Sequence, residues 1–377
     1  MFKNKLWLSL FVVFVLVMVG CTNQFDNTAD SSGDGDADVQ EEGNQQLQEA
    51  EFEWVAQSPW PSGTALQKMA EKTADNITKA SNGRLTVKMH AAGEIVDAFE
   101  LLDAVDQGTL DAMHSWDGYW VGKMPQLALF ASVPMGMDEQ EYLGWITMDE
   151  GLELWQEIYD ESGYNVKVMD AGAGTPEIFY HSNKPIRTLE DLDGMKVRAV
   201  GEWAAILERV GASVVNLDGG ELYQGLERGV VDAIEFSSPA SNYPLGFHEI
   251  AKYVVTPAIH QPGNAVNFGI NKDKWDELPD DLKEIVKLST QTMWGVGWAE
   301  LAKEDLEYME KYRELEEEGV IEIIEFEKES QKELKVIIDE YYEELSEKDP
   351  LFKKVWDSQQ AFLEDFQYWQ ELMRVEY

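Results

Sequence analysis

The chain has 377 residues, with 30 basic against 72 acidic side chains and a formal net charge of −42. This balance argues against a nucleic-acid ligand and against direct binding to an anionic surface, because both need a basic face. The length beyond residue 51 suits two lobes better than one hydrophobic core.

The N-terminus is typical of an export signal. Lys3 and Lys5 precede an apolar run, Leu6–Val19, which is shorter than the roughly 20 residues that a membrane span needs. We therefore expect residues 1–20 to be a signal peptide. A short N-terminal membrane anchor is the alternative.

Cys21 follows this run and is the only cysteine, so the chain cannot form an internal disulfide. The phrase Met18-Val19-Gly20-Cys21 resembles the lipoprotein box of bacterial signal peptides, although leucine is usual where Met18 stands. The resemblance implies lipidation of Cys21. Acyl chains would anchor the protein at the outer face of the cell membrane, an extracytoplasmic location, without a spanning helix.

Residues 22–51 carry nine acidic side chains and no lysine or arginine, among glycine, serine, asparagine and glutamine. Such a segment cannot bury a core. We expect residues 21–51 to be the acylated cysteine and a disordered acidic tether. Calcium ligands in Asp34-Gly-Asp36-Ala-Asp38 are the alternative, but this phrase lacks the distal glutamate of an EF-hand loop.

Strands and helices alternate in the next part of the chain. Periodicity and turn residues predict strands at 52–56, 83–89 and 110–114, and helices at 62–80 and 97–107. This order is typical of a parallel α/β lobe. The helix-glycine-strand segment Leu101–Trp116 is approximately repeated at Leu222–Ser237, and this repeat favours a second, similar lobe. Shared secondary structure alone is the alternative.

The remaining elements are predicted in the same way. Between the two phrases we expect strands at 195–200 and 212–217 and a helix at 202–210. Residues 242–260 are expected to cross back to the first lobe. The chain then becomes strongly helical, with helices at 281–318, 329–345 and 358–374, the last carrying an apolar stripe of Phe362, Phe366, Trp369 and Met373.

Candidate ligand contacts follow two of the predicted strands. Ligands of open parallel sheets bind beyond the carboxyl ends of the strands. This rule predicts ligand contacts at Trp116 and Tyr119 on one side and at Glu235 and Phe236 on the other. Enzyme signatures are largely absent: there is no nucleotide-type phosphate loop, no Gly-x-Ser-x-Gly and no metalloprotease spacing among five histidines. His260 is a further candidate contact, and a structural role is its alternative.

Several phrases occur in an order that resembles one known family: Arg198, Gly219–Tyr223, Leu226–Gly229, Asp232–Phe236 and His260–Gly263. The chain is similar over roughly residues 52–372 to the extracytoplasmic solute receptors of TRAP transporters. It is most similar to the branch that binds 2-oxo and 2-hydroxy acids.

The resemblance implies an α/β, two-lobed fold like that of periplasmic binding proteins, with a long interlobe helix and a helical C-terminus. We expect lobe I at residues 52–173 and lobe II at residues 174–262. Residues 263–377 are expected to return to lobe I and to form the interlobe helix and the C-terminal helices.

The resemblance also assigns roles to residues of the site. An arginine on a central strand of this branch grips the ligand carboxylate, and Arg198 has that position. A metal ion bridges ligand and protein, held by a glutamine and by a Glu-Trp pair. Those positions fall on Glu177, Glu235 and Phe236, where a backbone carbonyl suffices at Phe236. We also expect Glu177 to contact the substrate, with Trp116, Tyr119 and His260.

The chemistry of these side chains is consistent with those roles. A guanidinium matches a carboxylate with two parallel hydrogen bonds, and an interlobe salt bridge is the alternative for Arg198. Carboxylate oxygens at Glu177 and Glu235 suit calcium or sodium better than zinc. Solvated surface carboxylates are their alternative.

We therefore expect a receptor and not an enzyme. Its expected partners are a small carboxylate, the small and large membrane subunits of a TRAP transporter, the membrane through the lipid, and a second copy through the C-terminal helix. A receptor for a polyol or a larger organic acid is the nearest alternative. A surface enzyme of lyase type acting through Glu177 and Glu235, and a structural lipoprotein or adhesin, are the others.

The anchoring hypothesis predicts the behaviour of a Cys21→Ser variant. Without the thiol no acyl chain can be attached, so the variant should appear in the medium or keep an uncleaved signal. Cell fractionation with mass determination checks this. Membrane retention of a correctly cleaved Cys21→Ser protein would contradict the hypothesis.

Overall fold

The computed structural model of the chain describes residues 50–373, so the predicted signal peptide, Cys21 and nearly all of the acidic tether lie outside the described residues. The strands are β1 Phe52–Gln57, β2 Leu85–His90, β3 Ala112–Ser115, β4 Val166–Gly174, β5 Tyr180–Ser182, β6 Lys196–Arg198, β7 Ser213–Val215, β8 Ala233–Ile234, β9 Tyr253–Thr256, β10 Asn264–Asn271 and β11 Glu322–Glu325. The α-helices are α1 Ala65–Ala80, α2 Leu101–Asp106, α3 Ala128–Ala131, α4 Glu139–Met148, α5 Gly151–Glu161, α6 Gly201–Arg209, α7 Leu222–Glu227, α8 Pro239–Asn242, α9 Phe247–Ile250, α10 Lys272–Asp276, α11 Asp280–Gln291, α12 Val296–Glu317, α13 Lys328–Lys348 and α14 Pro350–Met373.

The first sheet has the order β2-β1-β3-β10-β4. β1 is parallel to β2 and β3, as predicted, but β10 is antiparallel to both β3 and β4. The expectation of an all-parallel lobe is therefore wrong. β10 enters the first sheet from the second through residues 257–263, which contain no helix.

The second sheet has the order β11-β9-β5-β8-β6-β7. β9 lies inside the predicted crossover 242–260, so the chain leaves this sheet only after Thr256. β11, between α12 and α13, also joins the second sheet by pairing with β9. Two mixed sheets with helices around them confirm the predicted α/β class.

Three segments pass between the two sheets: residues 175–179, residues 257–263 and the helix α12. α12 packs against α1 and β4 on the first side and against α8 and β11 on the second. The predicted continuous helix 281–318 is instead interrupted at Thr292–Gly295, between α11 and α12. The lobe boundaries at residues 173 and 262 remain a prediction.

Local sequence explains why the elements begin where they do. Thr64 accepts a hydrogen bond from the backbone N–H of Gln67 and so caps α1. At α4 the side chain of Asp138 and that of Glu141 cap each other's backbone, the arrangement called a capping box. Within residues 50–373, no helix combines the length and the apolar character needed to cross a membrane.

A buried carboxylate fixes the segment that carries the aromatic residues of the first lobe. Asp117 begins the short 3-10 helix Asp117–Trp120 and is fully buried. It accepts hydrogen bonds from Tyr159 Oη (2.7 Å), Trp155 Nε1 (2.5 Å) and Asn267 Nδ2 (2.5 Å). Burial raises the pKa of Asp117 to about 7, although these hydrogen bonds act in the opposite direction.

This raised pKa predicts a pH dependence of stability. Folded Asp117 keeps a proton that the unfolded chain releases near pH 4, so the free energy of unfolding should fall as pH rises from about 4 to about 7. An Asp117→Asn variant should lack this component. Its free energy of unfolding should therefore fall less steeply with pH than that of the unmodified protein, by up to about 1.4 kcal/mol per pH unit. Urea unfolding at several pH values measures both slopes. The exposed Asp149→Asn is the control, and equal slopes in all three proteins would contradict the assignment.

Candidate functional site

A cavity lies where segments of the two sheets face each other. Strand ends and crossing segments supply its walls, as expected for ligand sites of open α/β sheets. Its lining residues are Trp60, Leu66, Trp116, Tyr119, Gly174, Glu177, Arg198, Val200, Glu235, Phe236, Ser237, Gln261, Asn264 and Val266.

Arg198 is the cationic side chain of this cavity, and its side chain is 1% exposed. It ends β6, with β8 on one side and β7 on the other. Nη1 contacts Glu235 Oε2 at 2.9 Å and donates to the Glu235 carbonyl at 2.7 Å, while Nε donates to the Leu217 carbonyl at 3.0 Å. Nη2 is buried and has no hydrogen-bond partner among the described residues. A buried donor without a partner is costly, so Nη2 is available to a ligand oxygen.

Two buried glutamates face this arginine. Glu235 Oε1 accepts the backbone N–H of Val200 at 3.2 Å, and Oε2 pairs with Arg198. Glu177 Oε2 lies 3.0 Å from His260 Nε2, and Oε1 accepts from Gln261 Nε2 at 2.7 Å. His260 and Gln261 therefore hold the Glu177 carboxylate in one orientation.

Burial shifts the pKa values of the titratable side chains in the site. Burial raises the pKa of Glu177 well above its usual value, the charge of Glu235 adds to this, and Arg198 opposes it. Burial also raises the pKa of Glu235, again opposed by Arg198. Burial, assisted by Arg198, lowers the pKa of His260 to about 3 and keeps the imidazole neutral near pH 7. One cation thus faces two carboxylates.

The same side chains offer a compact donor set for a metal ion. One ligand atom from each of Glu177, Glu235 and His260 can be chosen so that all three lie within 4.8 Å of one another. All three side chains are buried. Two carboxylates suit a hard cation such as calcium. The residues present therefore fit a bound ion.

Aromatic rings form the opposite wall. The rings of Trp116 and Tyr119 meet edge to face at 5.3 Å, and Trp60 lies 6.2 Å from Tyr119. Trp116 Nε1 donates to the Ala131 carbonyl at 2.9 Å. Its ring lies over Gly118, where a Cβ atom would come within 2.0 Å of the indole, so only glycine fits there.

The structure brings most of the sequence-predicted residues together. Arg198, Glu177, Trp116, Tyr119, Glu235 and Phe236 all line the cavity. His260 differs, because it contacts Glu177 but lines a neighbouring cavity. Whether these residues bind a ligand or an ion remains a prediction.

Sequence reasoning missed several lining residues, among them Trp60, Gln261 and Asn264. Trp60 follows β1, so the rule that ligands gather at strand ends could have nominated it. Asn264 begins β10, a strand that was not predicted at all. Gln261 belongs to the phrase His260–Gly263 but had no assigned role.

Two α/β lobes that are joined by crossing segments and enclose a polar cavity are the arrangement typical of solute-binding proteins. The sequence model of the DctP family, described as bacterial extracellular solute-binding protein family 7, matches residues 56–349. The chain belongs to this family.

Named relatives and solved structures agree with this assignment. A monocarboxylate 2-oxoacid-binding periplasmic protein of Nostoc sp. is 29% identical over 331 residues, covering 86% of this chain and 87% of the relative. A TRAP periplasmic solute-binding protein of Pseudoalteromonas atlantica, solved with sodium and pyruvate, is 27% identical with a TM-score of 0.80, covering 85% of this chain and 97% of that one. A TRAP protein of Colwellia psychrerythraea, solved with calcium and pyruvate, is 26% identical with a TM-score of 0.80 and the same coverages.

Proposed function

We propose that the chain is the extracytoplasmic receptor of a TRAP transporter and binds a small 2-oxo or 2-hydroxy monocarboxylate together with a bridging cation. The observation that carries this proposal is the unpartnered Nη2 of Arg198, buried in the cavity beside Glu177 and Glu235. A ligand carboxylate would accept from Nη2. The ion would contact the two glutamates and the ligand's own oxygens.

Charge balance favours a divalent ion in this site. As ligands of an ion both glutamates must be ionised; with His260 neutral, Arg198, Glu177 and Glu235 then sum to one negative charge, and a monocarboxylate adds another. Two negative charges in a buried cavity repel each other strongly, because the effective dielectric there is low. A divalent ion such as calcium neutralises them, whereas sodium leaves one uncompensated.

The relatives support the ligand class. The Nostoc protein is named for binding 2-oxo monocarboxylates, and two solved TRAP proteins hold pyruvate with sodium or calcium. In that setting the Glu177 and Glu235 carboxylates act as ion ligands and not as an acid/base pair. The protein is then a receptor without turnover, delivering its ligand to the small and large membrane subunits, with Cys21 as the lipid anchor.

This proposal predicts that the acid binds tightly only with an ion present. Pyruvate titrated calorimetrically in sodium-free buffer should bind with a Kd at least about tenfold lower with calcium than after chelation. In a Glu177→Gln variant the site loses one negative charge, so sodium alone should support binding and the preference for calcium should shrink. Both follow from the same charge count.

The exposed Glu227→Gln in the second lobe provides a control with the same change in net charge. It should behave like the unmodified protein. If pyruvate binds the metal-free protein in sodium-free buffer as tightly as it binds in the presence of calcium, the proposed bridging ion would be overturned. Absence of binding under every condition would overturn the ligand class.

We also propose that the C-terminal helix packs on a second copy of the chain. Near the end of α14, Trp369 is 55% exposed, Leu372 65% and Met373 68%. The preceding part of the helix is seated on α4, where a Cβ at Gly144 would meet the Phe362 ring. Exposed apolar side chains continuing from a packed helix are typical of an interface.

A double variant, Trp369→Ser with Leu372→Ser, tests this pairing. Removing the apolar surface should convert a dimer into a monomer while the helix content stays the same. Light scattering measures the mass, and circular dichroism checks the helix. A monomeric unmodified protein at all workable concentrations would reject the dimer.

A further inference from the structure

A carboxylate outside the cavity ties together the segments that carry the two glutamates. Asp305 lies in the middle of α12, the helix that packs against both lobes. Its side chain accepts a hydrogen bond from Thr175 Oγ1 and another from the backbone N–H of Ala240, at 2.7 Å. No basic side chain pairs with Asp305 among the described residues.

Each of these partners lies close in the chain to a glutamate of the site. Thr175 is buried just after β4, two residues before Glu177. Ala240 is in α8, five residues after Glu235. The two segments also bond to each other, because the backbone N–H of Ile178 donates to the Ser237 carbonyl at 3.2 Å. Asp305 is therefore bonded to both segments that supply the carboxylates.

The hydrogen bond to Ala240 satisfies a backbone N–H that no capping side chain of the local sequence satisfies. Ser238 is the N-cap residue of α8, but its side chain makes no capping hydrogen bond. The Asp305 carboxylate instead accepts the N–H of Ala240, a first-turn donor that has no partner within the helix. The interlobe helix therefore contributes to the orientation of α8, together with Asn242 of α8 itself, whose Nδ2 donates to the Ser237 carbonyl at 2.6 Å.

Asp305 lies at the point where α12 changes lobes. Leu301, one turn before, belongs to an apolar cluster that includes Trp60 and Leu66 of the first lobe. Tyr312, two turns after, packs with Ile178 and Ile321 of the second. Since residues 301, 305 and 312 share one helix face, Asp305 is the acidic residue on the inner face of α12 at the boundary.

We propose that Asp305 is a positioning residue that couples the interlobe arrangement to cation binding, by holding Glu177 and Glu235 at the separation that an ion bridges. This inference rests on the proposed function. Asp305 does not touch the ion or the acid. It acts through Thr175 and α8, so that the attachment of both segments to one residue of α12 helps to hold the donor atoms together.

The test measures the coupling between ion and acid, which is the calcium Kd without pyruvate divided by the calcium Kd with pyruvate. Asp305→Ala should lower this factor by about tenfold, because both glutamate-bearing segments are released. Thr175→Val, which removes only the hydroxyl, should lower it by about threefold, and Thr175→Ser should restore it. A role in stability alone would lower the unfolding midpoint but leave the coupling factor of the folded protein unchanged.

The control is Glu307→Gln, an exposed side chain on the same helix that loses the same charge. It should match the unmodified protein. Circular dichroism at the assay temperature verifies that each variant is folded. If Asp305→Ala is unfolded, the comparison of Thr175→Val with Thr175→Ser tests the inference. Unchanged coupling in folded Asp305→Ala, or in Thr175→Val, would overturn the inference. Absence of coupling in the unmodified protein would instead overturn the proposed function.

Discussion

Two buried carboxylates that face one arginine are the constraint on which the rest of the site depends. Glu177 and Glu235 are both buried, with raised pKa values, and within residues 50–373 Arg198 is the one cation that faces them, since His260 is neutral. Burying an unpaired charge costs several kcal/mol. In the proposed binding state a cation would balance the two ionised carboxylates, and Arg198 Nη2, a buried donor without a partner among the described residues, would then face an anion. Ion and acid would each remove a penalty that the other meets alone, which is the physical basis of the mutual dependence that we propose.

The fold makes this arrangement possible by bringing distant segments together. Glu177 lies in the first crossing segment, and His260 and Gln261 lie in the second. Arg198 ends β6 and Glu235 follows β8, both strands of the second sheet. The first lobe contributes the aromatic wall, fixed from behind by Asp117. Because the walls come from both lobes, relative motion of the lobes would open or close the cavity. A binding site at such a boundary can report its occupancy to a membrane partner through lobe position.

Much of this could be predicted from the sequence, and the failures have physical reasons. Arg198 ends one short strand and Glu235 directly follows another, and the sequence around each resembles a known family. β10 was missed because all eight of its residues are buried, so that it shows no alternation of polar and apolar positions, and it includes asparagine and glycine. β11 is four residues long and lies between two acidic helices. Gln261 and Asp305 gain their roles only from three-dimensional neighbours, which no local pattern encodes.

The most direct test of the account is native mass spectrometry of the full-length protein after expression in cells and gentle purification. The account predicts a species that carries one small monocarboxylate and one divalent ion per chain, and chelation should remove both together. A species that retains the acid while carrying no metal ion would contradict the central claim.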